Sequence, residues 1–242
     1  MSIARRIQFK WILGVVLIVS CASARADLVF NVSLDTSQLA ANYTGPFGLD
    51  FELIGTNGNT VTLSNFSFGG GSAGPGSAFP TGLASGDLSS SVVLTDNNAN
   101  FFNDFNQQFT PGSTLTFTVD STLIAPPPGG FPDNFSMVIL QNYDPVNGYN
   151  PYTLTGGIPI PTIDPSGNDT FINVDNNGPA PGATVAESYS DLKADIPITV
   201  TPAGGAVPEP GSGVLMLLSV LCTATATRWR RSRAGQGRSL NS

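Results

Sequence analysis

In the middle of this chain the hydrophobic residues recur at every second position, and glycine or proline breaks each run after a few residues. Period two with frequent breakers points to antiparallel strands with one face in water. Residues 28–34 set Leu28, Phe30, Val32 and Leu34 against Asn31 and Ser33. Residues 47–53 set Phe47, Leu49, Phe51 and Leu53 against Asp50 and Glu52. Residues 114–123 put Leu115, Phe117, Val119 and Leu123 on one side and Thr114, Thr116, Thr118 and Asp120 on the other. Ile196, Ile198 and Val200 repeat the pattern near the end of this region.

Other stretches refine the picture. Residues 60–68 alternate Val61 and Leu63, then Phe66 and Phe68. The one-residue slip predicts a bulge near Ser64 and Asn65. Residues 135–140 (FSMVIL) are apolar on both faces after Ser136, as a central strand would be. Residues 91–95, 152–155 and 170–174 are shorter candidates, which makes about nine strands. Helical spacing is scarce. Phe102, Phe105 and Phe109 suggest one short helix before Pro111, and residues 185–193 suggest another turn or two. The breakers between runs include Gly69-Gly70-Gly71, residues 125–130 (APPPGG) and residues 178–182 (GPAPG). Gly 27 and Pro 19 are high counts, but 15 Phe supply the aromatic surface that disordered chains lack.

Charge is sharply segregated. Four of the ten Lys and Arg fall in the first 26 residues and five in the last 15, leaving Lys193 alone between them. Segment 27–206 holds 16 acids and one Lys, a net charge of −15. Such a domain repels nucleic acid, and it has no Arg to contact phosphate or base edges.

The two ends read as targeting segments. Arg5, Arg6 and Lys10 precede the apolar run 11–20, and Ala24-Arg25-Ala26 fits a small-x-small cleavage site. Residues 1–26 are therefore a signal peptide, with Ala24 and Ala26 at the cleavage site and Asp27 as the new N-terminus. The tetrad Ile18-Val19-Ser20-Cys21 resembles a bacterial lipoprotein box, and lipidation at Cys21 is the competing reading. At the other end, Val207-Pro208-Glu209-Pro210 is followed by the uncharged segment 211–227 and then by Arg228, Arg230, Arg231 and Arg233. Seventeen helical residues span about 25 Å at about 1.5 Å each, close to the hydrocarbon thickness. The Arg cluster holds that end on the cytoplasmic side, so the acidic segment lies across the membrane. Residues 234–242 form a cytoplasmic tail.

Residues 207–233, taken in that order at the C-terminus, resemble the PEP-CTERM sorting signal of bacterial surface proteins. The resemblance implies an exosortase as partner, a membrane-embedded enzyme that cuts near Pro208-Glu209-Pro210. It also implies a membrane-anchored precursor that passes to the cell surface or extracellular matrix. Glu209 is then a recognition residue. The prolines keep the segment extended, the form a protease-like cleft binds. Segment 27–206 resembles a subset of PEP-CTERM proteins through residues 28–40 (LVFNVSLDTSQLA), 48–53 (GLDFEL) and 102–117 (FNDFNQQFTPGSTLTF). That subset has no established activity, so the resemblance supplies no site.

The expected fold is all-β: a jelly-roll-like antiparallel β-sandwich over 27–206 with a single C-terminal transmembrane helix. No catalytic residue is assigned. The chain has no His and no Cys within 27–206, so a Ser or Cys triad has no base and no thiol. Paired carboxylates remain for a secreted glycan-active enzyme, and Asp50 with Glu52 is the pair on one strand face. Their plainer reading is the solvated side of that strand. Acidic and amide turns at residues 96–98, 164–169 and 175–178 suit a calcium ion in type, but none has EF-hand spacing and Asp and Asn are ordinary turn formers. No cofactor and no metal ligand is assigned. Tyr143, Tyr149 and Tyr152 are the aromatics available to stack on a sugar such as an exopolysaccharide unit. The Asn-x-Ser/Thr sequons at Asn31, Asn42, Asn65, Asn134 and Asn168 are read as incidental in a bacterial chain. The expected role is structural or adhesive.

Overall fold

A computed structural model describes residues 27–74, 78–122, 124, 126, 133–175, 186–193 and 196–203. The strands in chain order are β1 (Asp27–Asp35), β2 (Phe47–Ile54), β3 (Thr60–Ser67), β4 (Ser72–Ala73), β5 (Phe79–Thr81), β6 (Ser85–Gly86) and β7 (Ser91–Thr95). They continue with β8 (Phe102–Thr110), β9 (Thr114–Thr122), β10 (Asn134–Gln141), β11 (Ile158–Pro159), β12 (Ile172–Asp175), β13 (Ala186–Ser188) and β14 (Ile198–Pro202). One helical turn, α1 (Leu39–Asn42), follows β1 and buries Leu39.

Every pairing is antiparallel, and the strands form two sheets. The first has the order β14-β1-β9-β3-β7-β6. The second has the order β13-β12-β10-β2-β8-β4, with β11 added to β10 and β5 to β8. The sheets meet through one apolar core. Phe51 of β2 is fully buried and reaches across to Phe117 of β9 at 5.8 Å, edge to face, and to Phe66 of β3 at 6.2 Å. Ring pairs in these geometries add to the burial energy of the side chains.

The alternating runs form the strands the sequence suggests. The bulge in β3 lies where the slip predicts it: its register with β9 shifts between Ser64 and Ser67, and Asn65 takes φ 57°. Asn is among the few residues that tolerate that left-handed conformation. β10 is central, flanked by β2 and β12, and Phe135 to Leu140 are all buried.

Three expectations are corrected. Residues 102–110 are the long strand β8 and not a helix. Its core-facing row is Asn103, Phe105, Gln107 and Phe109, all buried. The two amides disguise the alternation. They sit inside because each serves a loop: Asn103 Oδ1 accepts from Leu83 N–H at 2.8 Å, and Gln107 Oε1 from Leu88 N–H at 2.9 Å. Residues 186–188 form β13 against β12, so the described part of 185–193 is not helical either. Residues 152–155 form a turn closed by the Asn150–Thr155 bridge, where Leu154 takes φ 53°.

Among the described residues no helix is long and apolar enough to cross a membrane. The segments 1–26 and 207–242 lie outside the described residues, and with them Ala24, Ala26, Val207, Pro208, Glu209, Pro210, Arg228, Arg230, Arg231 and Arg233.

Candidate functional site

The outer face of the second sheet is where acids collect. Side chains alternate along a strand, so Gly48, Asp50, Glu52 and Ile54 of β2 face away from the core. Register sets their neighbours. Asp50 lies between Asn106 of β8 and Val138 of β10, and Glu52 lies between Asp104 and Ser136. Three carboxyls from two strands thus share one patch. Like charges placed directly opposite, as Glu52 and Asp104 are, destabilise a sheet unless protonation relieves them.

This face is not in water. Asp50 is 0 % exposed and Asp104 1 % exposed. The chain after β10 folds back over it. Tyr143 lies on Gly48, whose missing Cβ would stand 2.5 Å from the Tyr143 ring, so any larger residue there would lift the cover. Asn106 holds the cover down. Its Oδ1 accepts from the Tyr143 hydroxyl at 2.9 Å and from Tyr149 N–H at 2.8 Å. Its Nδ2 donates to the Tyr149 carbonyl at 3.0 Å and to Asp104 Oδ2 at 3.1 Å. The solvated reading of Asp50 is therefore corrected: an overlying loop, which strand periodicity does not encode, removes it from water.

Burial, then the charge of Asp104, push the Asp50 carboxyl well above the ordinary range. Burial and then Asp104 likewise push Glu52 up to about 7, against a bond from Ser136 that favours its charged form. Asp104 is raised by burial as well, although bonds from Asp50 and Asn106 favour its ionised form. Of the two, Asp50 is pushed further toward its protonated form, because it is wholly buried and faces the charge of Asp104. Among the described residues no positive side chain relieves the group: Lys193 lies 5.0 Å over the Tyr43 ring.

Beside the covered patch the face opens into a cleft of about 600 Å³. Asp50 and Glu52 line its floor, and Asp169 and Tyr149 come from the covering segment. Pro151, Leu154 and Ile158 supply an apolar lip, with Leu154 68 % and Ile158 52 % exposed. A volume in this range suits a small organic ligand or a few sugar units.

The other candidates fall differently. Tyr143 is buried in the cover, Tyr149 lines the cleft, and Tyr152 is exposed and packs on Phe102 at 5.0 Å. Asp96, from the first acidic turn, is fully buried, and its Oδ1 accepts from Gly58 and Asn59 N–H. Burial first, opposed by the Gly58 bond and reinforced by the charge of Asp133, raises it to about 6. Asp133 accepts from Thr56 N–H and from the Asn57 and Asn59 amides, so the two acids together fix the 55–59 turn. Asp164 is buried, but bonds from Thr170 and Ser166 outweigh that burial and hold its carboxyl below the usual range. Asp169 accepts from Thr162 N–H. Asp175 ends β12, and residues 176–178 lie outside the described residues. Among the described residues no group of three or more Asp, Glu, Cys or His side chains is placed to hold a metal ion.

Sequence reasoning singled out Asp50 and Glu52, and Asp169 only as part of an acidic turn, but missed Asp104 and Asn106. One signal was available: one acid among four amides in 103–108, within a domain that has a single Lys. Compared with known protein families, with curated proteins and with solved structures, the chain matches none.

Proposed function

We propose that this chain is an exported bacterial cell-surface or extracellular-matrix protein, sorted through its C-terminal PEP-CTERM signal and structural or adhesive in role. The ectodomain is a jelly-roll-like sandwich, and segment 211–227 is a transmembrane helix that anchors the precursor. An exosortase acts at Pro208-Glu209-Pro210. One observation carries this reading furthest. β1 and β14 pair antiparallel, with Phe30 opposite Pro202 and Ala203 N–H donating to the Val29 carbonyl at 3.0 Å. The first and last strands of the domain therefore leave it side by side, which suits a domain delivered by a leader at one end and held at a membrane by the other. The net charge of −15 over 27–206 fits an extracytoplasmic face that binds no nucleic acid.

The test replaces Pro208, Glu209 and Pro210 with alanine in the native host. The variant is expected to stay in the membrane fraction while the parent chain leaves it. Equal release of both chains would refute the sorting role of the motif.

A second reading has a specific support of its own. Clustered carboxyls in a cleft, one of them titrating near 7, have the character of a general acid in glycoside cleavage. A secreted glycan-active enzyme would generate new reducing ends from an oligosaccharide, and Glu52→Gln would abolish that release. The structural or adhesive role predicts no release from either protein.

A further inference from the structure

We infer that the cleft over Asp50 and Glu52 binds an amino sugar, a glycan unit carrying a free ammonium group. This goes beyond the sorting reading and stands on the cleft alone, wherever the chain is delivered. Three observations converge. The first is an unmet hydrogen-bond demand. Both Asp50 oxygens and Asp104 Oδ1 are buried, and among the described residues no donor pairs with them. One proton shared between the two carboxyls satisfies one oxygen on each and leaves one Asp50 oxygen unpaired. Asp50 is fully buried at the cleft floor, so a donor pressed into that floor, with a small shift of its lining, is the partner it lacks. A buried acceptor left unpaired is destabilising, and a bound donor would relieve it.

The second is charge. Asp50, Glu52 and Asp169 line the cleft, and among the described residues no Lys or Arg does. An anion is excluded, and a cation is the complement. An ammonium group brings three donors and a positive charge together. The third is the apolar lip of Pro151, Leu154 and Ile158, which matches the C–H face of a pyranose ring. The cleft's amides, Asn134, Asn168 and Asn173, suit its hydroxyls. A lysine-bearing peptide shares the ammonium but leaves this polar wall unmatched.

The charge complementarity also predicts a proton signature. Glu52 faces Asp104 from β8, Ser136 from β10 and Asp50 from its own strand, while Asp169 and Tyr149 line the same cleft from the cover. An ammonium in their midst favours the ionised carboxyl, so binding expels a proton.

The experiment is calorimetry on the full chain in detergent at pH 6, with the trimer of glucosamine as probe, in two buffers of different ionisation enthalpy. Binding with release of about one proton is expected, since a carboxyl titrating near 7 is mostly protonated at pH 6. Glu52→Gln should weaken binding at least tenfold and remove most of the proton release. Leu154→Arg, at an exposed site on the lip, should weaken it at least tenfold with the fold untouched. Asp120→Asn, an exposed acid on the other sheet, should stay within twofold and controls for general attraction to an acidic protein. Any of the following results overturns the inference. One is equal binding of the N-acetylated trimer. Another is tighter binding of trilysine with the same dependence on Glu52. A third is no binding by the parent chain, and a fourth is equal loss in the Asp120 and Glu52 variants.

Discussion

Replacing Glu52 with Gln should make this protein more stable at alkaline pH and leave it little changed in acid. The side chains are nearly isosteric, so the substitution removes the ionisation and keeps the packing. In the unfolded chain Glu52 titrates at its usual 4.5, and in the folded chain at about 7. Between those values the folded state holds a proton that the unfolded state has lost. Stability from this group is therefore fully present below pH 4.5 and is lost as pH rises through 7. The gap corresponds to about 3 kcal/mol at about 1.36 kcal/mol per pH unit. Gln carries no such penalty. The stability difference between variant and parent should thus shift by about 3 kcal/mol in favour of the variant between pH 4 and pH 8. Urea unfolding at both pH values measures it. Far-UV circular dichroism is the probe, because both tryptophans, Trp11 and Trp229, lie outside the β-domain. A difference that does not move with pH, or a parent chain that gains on the variant above pH 7, would refute the argument that burial and Asp104 hold this carboxyl protonated.

Five further substitutions test the packing of the fold. Phe51→Ala should cost about 3–5 kcal/mol in urea unfolding, because a fully buried ring bridging both sheets is lost. Phe101→Ala, at an exposed site, should stay within about 0.5 kcal/mol of the parent. Asn65→Val should cost about 1–2 kcal/mol, since a β-branched residue resists the left-handed backbone that Asn65 adopts in the β3 bulge. Asn65→Gly should be close to neutral, and thermal melts of the pair check both. Gln107→Leu should cost about 1–3 kcal/mol by leaving the buried Leu88 N–H unpaired, and amide hydrogen exchange at Leu88 should rise with it.

The sandwich's strands were legible wherever apolar core positions alternate with polar ones. β1, β2, β3 and β9 carry that alternation openly, and even the β3 bulge shows as a slip between Leu63 and Phe66. Legibility failed where polar residues face the core. β8 hides Asn103 and Gln107 inside the core to serve the 83–88 loop, and the three Phe left visible fall at helical spacing by accident. The candidate site was half legible for a related reason. Asp50 and Glu52 announce a shared face two residues apart. That Asp104 lies opposite Glu52 depends on which strands pair, and that Tyr143 and Asn106 seal the face depends on how a loop folds back. Neither is local, so neither is written in periodicity. Gly48 is the one local trace of the cover, and its meaning is visible only once the Tyr143 ring is above it.

The most direct test of the account as a whole is the intact mass of the protein recovered from its native host, fraction by fraction, with and without the exosortase. The account predicts a species that begins at Asp27 and ends within residues 208–210, found outside the membrane only when the enzyme is present. A membrane-bound species that still carries Arg228 to Ser242 with the enzyme present would contradict it, and a lipid mass on Cys21 would replace it with a lipoprotein.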